Sequence, residues 1–225
     1  MKERPGGKRG RVTRETVSAR GGSQAVRAAR RDEAALLGEV LADAFAEDPV
    51  FAWLIPPHLR GRDNRMHTFF TSMSRSYLRR GKPCYLTGDA SAAALWAAPG
   101  TWAMPLSQVI LEAVPNGLAL RRRLFRGLRT QLQVERLHAG QSRPHWYLAY
   151  LGTRRDRQGQ GLGSQLLREV LADADTAGVP AYLESSHERN LPLYERNGFR
   201  ITGELRALGY GPAIWCMWRE PQPRA

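Results

Sequence analysis

Only three of the 225 residues are lysine, Lys2, Lys8 and Lys82, although Lys and Arg together number 34 and the net charge is +13. A P-loop for nucleotide phosphates closes on Gly-Lys-Ser/Thr. No lysine follows Lys82, so that class of site is excluded. Cysteine is as scarce. Cys84 and Cys216 cannot build a disulfide framework, and their apolar, strand-like settings read as small buried hydrophobes. Long apolar runs are missing too. The longest, Ala92 to Ala98, has seven residues, where a membrane helix needs about 20. No membrane partner is expected. The N-terminus lacks the apolar stretch of a secretory leader, so the cytoplasm is the expected compartment. His58, His67, His138, His145 and His187 have no metal-ligand spacing with one another or with the cysteines. No Gly-x-Ser-x-Gly is present. The expectation is no metal and no serine-hydrolase chemistry.

What is present is the composition of one globular domain: 42% apolar and 24% charged residues. The positive charge is nearly all arginine, which favours bidentate contacts to phosphate and carboxylate. Phosphate-bearing ligands, RNA among them, fit this balance; a compositional bias toward arginine fits it equally. Residues 1–23 carry seven basic and two acidic residues without apolar periodicity. They read as a disordered basic arm, either an RNA-binding tail or a solvated extension.

The rest of the chain is organised around Gln158-Gly159-Gln160-Gly161-Leu162-Gly163-Ser164. Glycine lets a backbone turn tightly and a ligand approach closely. The segment after the loop has helical periodicity, and the first amides of a helix have no partner within it. The helix dipole favours negative charge there, so the loop is a candidate phosphate cradle. Trp146 to Leu151, just upstream, is an apolar and aromatic run that reads as a strand. The dinucleotide fingerprint Gly-x-Gly-x-x-Gly does not fit, because its last position falls on Ser164 or Leu166. The pattern that fits is Gln-x-x-Gly-x-Gly.

Around this unit, Ala25–Ala29 predicts a first strand. Asp32 is placed to cap a helix with Leu37, Val40, Leu41, Ala44 and Phe45 on its apolar stripe. Asp48-Pro49 ends that helix, and Phe51 to Pro57 reads as an apolar loop. A second helix opens at Asp63. Pro83–Thr87 and Ala92–Trp96 read as strands about a tight turn. Residues 106–137 are helix-periodic, interrupted at Pro115-Asn116-Gly117, with Arg122, Arg126 and Arg129 on one face. That face is either solvated or a phosphate stripe for a nucleic acid. Leu166, Leu167, Val170, Leu171 and Ala174 form the stripe of the helix after the glycines, and Gly178 stops it. Pro180–Ser186 reads as a strand. Asn190 is placed to cap a short helix ending at Asn197-Gly198, with two closing strands after it. The alternation gives a mixed α/β sheet with layers on both faces. Glu184 stands inside an apolar strand, which is costly unless something pairs with it. It is either a salt-bridge partner of an arginine or a carboxyl of raised pKa fit for base catalysis.

Leu151-Gly152-Thr153-Arg154-Arg155-Asp156-Arg157 followed by the glycine loop resembles the acetyl-CoA signature of the GNAT acetyltransferase superfamily. Asn190 to Phe199 is similar to that family's Asn…Tyr-Glu-x-x-Gly-Phe segment. Across residues 145–218 the chain resembles puromycin N-acetyltransferase and its actinobacterial relatives; residues 25–98 match in layout only, and residues 99–143 poorly. The resemblance implies a single domain with a central sheet of about seven strands. Acetyl-CoA, or a related acyl-CoA, would be bound at a splayed core strand. Residues 24–143 would form the acceptor-side half and residues 144–225 the CoA-binding half. It implies that Gln158 to Ser164 hold the pyrophosphate, that Leu151 and Thr153 lend backbone groups, and that Asn190 contacts the pantetheine arm. Tyr194 would protonate the departing thiolate, with Glu184 as the base. Phe51 and Trp53 would border the acceptor. Arg155 replaces a proline common in the family, an exchange expected to cost little.

Three readings are open. The first is an N-acetyltransferase, monomer or homodimer, acting on a small primary amine such as an antibiotic or a metabolite. The second is one acting on aminoacyl-tRNA, with Arg122, Arg126 and Arg129 meeting the RNA. The third is a non-catalytic acyl-CoA-binding module.

Overall fold

The computed structural model describes residues 25–102, 124–141 and 143–223. The expected arm, Arg122 and the helix-periodic stretch 106–123 lie outside them. Seven strands form one sheet: β1 (Val26–Ala28), β2 (Cys84–Thr87), β3 (Ala92–Ala97), β4 (Trp146–Thr153), β5 (Ala181–Ser185), β6 (Arg200–Arg206) and β7 (Ala213–Arg219). Their order is β1-β2-β3-β4-β5-β7-β6. Every pairing is antiparallel except β4 with β5. The helices are α1 (Ala34–Ala44), α2 (Pro49–Leu54), α3 (Arg62–Arg79), α4 (Leu124–Ala139), α5 (Leu162–Ala177) and α6 (Leu191–Arg196). The expected mixed sheet flanked by helices is the fold observed. Among the described residues no helix is long and apolar enough to cross a membrane.

Two cores sandwich the sheet. α1, α2 and α3 pack Leu37, Leu41, Phe51, Met66 and Phe70 against Ala93 and Leu95 of β3. α5 and α6 pack Leu166, Val170 and Tyr194 against Ala92, Ala94 and Trp96 of the same strand. Alternate residues of β3 thus enter opposite cores, which is why its sequence is an unbroken apolar run rather than a two-residue alternation. β4 lies close under α1: a Cβ added to Gly152 would come within 2.6 Å of the Ala44 Cβ.

Three local expectations need correction. Asp32 does not cap α1. The helix begins after Glu33, whose carboxylate instead accepts both Arg27 guanidinium NH groups at 2.8 Å and the Arg30 amide at 2.7 Å. The Arg27 guanidinium holds the Glu33 carboxyl down to about 2. Asp48-Pro49 does not merely end a helix. Asp48 caps α2 through the Val50 and Phe51 amides at 2.9 and 3.0 Å, with Pro49 in the first turn. The segment expected as a loop is therefore helical from Pro49 to Leu54. Asn190 has helical backbone angles and makes no side-chain cap bond to α6.

At the other end of the chain, Arg219 clamps three elements. It holds Asp175 of α5 bidentately at 2.6 and 2.8 Å and donates to the Asn197 carbonyl at the end of α6. The clamp fixes α6, and with it Tyr194, against β7.

Candidate active site

β4 and β5 run side by side for three residues only. The pairs are Trp146 with Ala181, Tyr147 with Tyr182 and Leu148 with Leu183. Beyond Leu148 the ladder ends. Ala149 is the extra residue of a bulge against β3, whose Leu95 and Trp96 pair with Tyr150 and Leu148. A bulge bends its strand and re-aims the residues beyond it. Tyr150 to Thr153 stay paired to β3, so their β5-facing edge has no strand partner. Leu151 and Thr153 both lie on this splayed stretch, and Gln158 Nε2 donates to the Thr153 carbonyl at 3.2 Å.

The glycine loop comes after a 3-10 turn at Arg155–Arg157. Gly159 and Gly161 have φ of 77° and 79°, the left-handed region that side chains with a Cβ disfavour. A Cβ at either position would meet no protein atom within 4 Å, so backbone conformation, not crowding by the protein, demands glycine. Gly161 caps α5, whose first turn holds no acidic residue. The amides of Leu162, Gly163 and Ser164 therefore open the helix with an uncompensated positive end. Ser164 Oγ accepts from Asn197 Nδ2 at 3.1 Å. The preceding arginines turn away from the loop. Arg154 pairs with Glu39 at 2.9 Å, Arg155 with Asp43 at 3.0 Å and Arg157 with Asp89 at 3.1 Å. The Arg155 amide also donates to Asp43 at 2.8 Å. A proline there would lose that bond, so Arg155 anchors the loop to α1.

Glu184 is the first residue of β5 past the parting point. It shares a face with Tyr182 and pairs in register with Cys216. Burial pushes its carboxyl up to about 7. The Tyr147 and Tyr182 hydroxyls pull the other way, without closing a well-formed hydrogen bond to its buried Oε1. Among the described residues no cation offsets the cost of its charge, so the salt-bridge alternative has no arginine to carry it. Tyr194 on α6 is 7% exposed. Burial, then the charge of Asp48, raise its pKa.

Asp48 is a site residue that the sequence does not reveal. Only 4% of it is exposed, and besides its two capping amides it accepts the hydroxyl of Ser186, just past β5. Desolvation raises its pKa; the Ser186 hydroxyl, the two amides and nearby His187 oppose the rise. The local signal is the helix-start pattern of an acid before proline, but its tie to Ser186 spans 138 residues. Of the two aromatics expected on the acceptor side, Phe51 is buried among Phe45, Phe69 and Phe70. Trp53 is half-buried, edge-on to the exposed Tyr210 at 5.9 Å and under the Arg126 guanidinium at 5.3 Å. Arg126 therefore faces α2, while Arg129 faces solvent. A cavity of about 300 Å³ lined by Arg80, Lys82, Pro83 and Ala98 opens at the opposite, closed end of the splay.

Residues 125–199 match the sequence model of the acetyltransferase (GNAT) family. An uncharacterized N-acetyltransferase from Schizosaccharomyces pombe is 30% identical over 168 residues, 71% of this chain and 67% of the relative. The chain belongs to the GNAT acetyltransferase family. This N-acetyltransferase shares its fold with a histone acetyltransferase HPA2-related protein of Corynebacterium glutamicum. That match has a TM-score of 0.62 at 23% identity, over 90% of this chain and 99% of the other. Arylalkylamine N-acetyltransferase 2 of Aedes aegypti superposes with a TM-score of 0.59 at 12% identity, over 88% and 99% of the two chains. The yncA protein of Salmonella typhimurium, solved with its cofactor acetyl-CoA, gives 0.50 at 14% identity over 90% and 96%.

Proposed function

We propose that this N-acetyltransferase moves the acetyl group of acetyl-CoA to the primary amine of a small molecule, with Glu184 as base and Tyr194 as acid. The observation that carries the reading is Glu184, half-buried with a desolvated carboxyl and, among the described residues, no cation against it, at the first position where β4 and β5 part. A base held near 7 is half deprotonated at neutral pH and takes a proton from an incoming ammonium. Tyr194 keeps its proton over the working range and has it to give to the departing thiolate. The Leu162, Gly163 and Ser164 amides suit the pyrophosphate. Gln158, Gly159, Gln160 and Gly161 shape the turn that brings it there. Leu151 and Thr153, on the edge of β4 that has no strand partner, offer backbone groups to the pantetheine and to the acetyl oxygen, where charge develops. Asn190, one turn before Tyr194, is free of a capping duty and available to the pantetheine amides.

Two acidic groups, the buried Asp48 that accepts from Ser186 and Glu184 two residues before it on the chain, suit a cationic amine. Trp53 and Tyr210 suit an aromatic group on it, as in the puromycin-type acceptors that the sequence resembles. Of the arginines in the aminoacyl-tRNA reading, Arg126 is turned onto Trp53 and Arg129 is exposed, so the small-molecule acceptor is preferred on the Trp53 and Tyr210 pairing.

The test is thiol release from acetyl-CoA with puromycin, tryptamine, spermidine and a bulk aminoacyl-tRNA pool as acceptors. Turnover with a small amine is expected. Turnover with the tRNA pool alone, abolished by salt, or tight acetyl-CoA binding without turnover on any of the four, would overturn the proposal. The cradle has its own test. Gly161→Val forces a β-branched residue to a φ of 79°, at a cost of about 1–2 kcal/mol or more. The Kd for acetyl-CoA should rise at least tenfold; an unchanged Kd would remove the loop from the binding site.

A further inference from the structure

Behind Glu184, at the closed end of the splay, sits a pair of buried histidines that the proposed chemistry does not use. His138 comes from the last turn of α4 and His145 from the residue before β4. They are 2% and 4% exposed, and their Nε2 atoms are 2.7 Å apart. Their partners fix the protonation. His145 Nδ1 lies 2.7 Å from the Arg143 carbonyl, which only accepts, so Nδ1 carries the hydrogen. Burial keeps the ring neutral, so its Nε2 is an acceptor. His138 Nε2 must then be the donor. Protonation of His145 would set two donors face to face.

The pair is walled by rings. Trp102 stacks on His138 at 4.0 Å and 16°. Tyr147 meets His138 edge-on at 4.4 Å, and Tyr182 lies 5.2 Å from it. His145 touches Tyr182 at 5.6 Å and Trp218 at 5.2 Å. Tyr147 and Tyr182 are the middle of the three register pairs, one step before the last pair at which the strands part, with rings nearly parallel at 26°. Their hydroxyls are the groups that approach the Glu184 carboxyl.

We propose that His138 and His145 are positioning residues for Glu184, wedging the Tyr147–Tyr182 pair one step behind the apex of the splay so that the carboxyl stays dry and the two hydroxyls stay aimed at it. α4, through its last turn, is thereby coupled to the base, and its first turns reach Trp53 through Arg126. The inference rests on the reading of Glu184 as a buried, raised carboxyl. The titratable groups facing that carboxyl are Tyr77 of α3, Tyr147 of β4, Tyr182 of β5 and Cys216 of β7. Lys82 is the charge facing His138. Losing the wedge admits water, and since burial is the largest cause of the rise, the Glu184 pKa should fall.

The experiment needs neither acceptor nor turnover. Urea unfolding of the full chain is measured from pH 4 to pH 9 with Glu184 and with Glu184→Gln. The pair is compared in the parent, in His138→Ala, and in His138→Gln, whose carboxamide restores a donor to His145. The pH at which the Glu–Gln difference stops growing reports the Glu184 pKa, and every titration that both members share cancels. An end point near 7 is expected in the parent, at least one pH unit lower in His138→Ala, and back toward 7 in His138→Gln. An end point near 7 that His138→Ala leaves in place would overturn the positioning role while sparing the base. An ordinary value in the parent would overturn both. If His138→Ala does not fold, Trp102→Ala, which removes only the stacked ring, should show the same fall, and no fall would count against the proposal.

Discussion

Glu184→Gln is expected to cut kcat/KM by about 10²–10⁴ while leaving the Kd for acetyl-CoA within a factor of two. In the parent enzyme kcat/KM should fall about tenfold per pH unit below about 7, where burial places the carboxyl. The variant should lose that acid limb. Stability should move the opposite way. The folded state holds the Glu184 proton up to about 7, and the unfolded chain releases it at its ordinary value of 4.5. Below 4.5 both states are protonated and the carboxyl costs nothing. Between 4.5 and 7 the folded state binds more protons, so stability falls as pH rises. Above 7 the cost is complete, at about 3 kcal/mol. Glutamine has no such cost, so its stability advantage should grow by about 3 kcal/mol between pH 4 and pH 8. Urea titrations at the two pH values check this. An advantage that does not change with pH would show that Glu184 titrates normally and is no base.

Tyr194→Phe carries the second large expected effect. The change removes one oxygen from a side chain that is 7% exposed and packed edge-on against Phe199, so the fold should survive. With acetyl-CoA, kcat should drop by about 10²-fold, the scale of one lost general acid. A simple packing role would give a uniform defect. An acid role gives a defect that depends on the leaving group. With an acetyl thioester of a more acidic thiol, protonation of the departing sulfur matters less, and the loss should shrink to below about tenfold. Equal losses with both thioesters would reject the acid assignment, and so would full activity with acetyl-CoA.

The parts of this site that can be read from the chain are those written in neighbouring residues. The glycine loop, the strand before it and the helix after it obey local rules of turn, alternation and period. Gly178 at the end of α5 has φ of 66°, as a helix stop requires. The hidden parts depend on which distant residues meet. The splay is a matter of register, since β4 and β5 part after Leu183 although the sequence runs on as strand to Ser185. The role of Asp48 in capping α2 is written locally, but its hydroxyl partner, Ser186, belongs to another half of the chain. Spacing sorts the five histidines for metal binding alone, and the seven-residue offset from His138 to His145 gives no hint that their rings join. Asp32 lies one residue too early for the cap position, which Glu33 fills without a side-chain cap while its carboxylate holds Arg27 of β1.

The opening of α5 has one more consequence. The groups that face outward there are peptide backbone, and the nearby cationic side chains are committed to Glu39, Asp43 and Asp89. A surface built of main-chain groups is encoded by no particular side chain. Gln160 is exposed and can drift to another residue without moving the Leu162, Gly163 and Ser164 amides. Gly159 and Gly161 cannot, because each alternative residue carries the Cβ that their φ disfavours. Selection acting on this loop would therefore leave a record made mostly of glycines, and the chemistry they serve would persist in sequences that have little else in common.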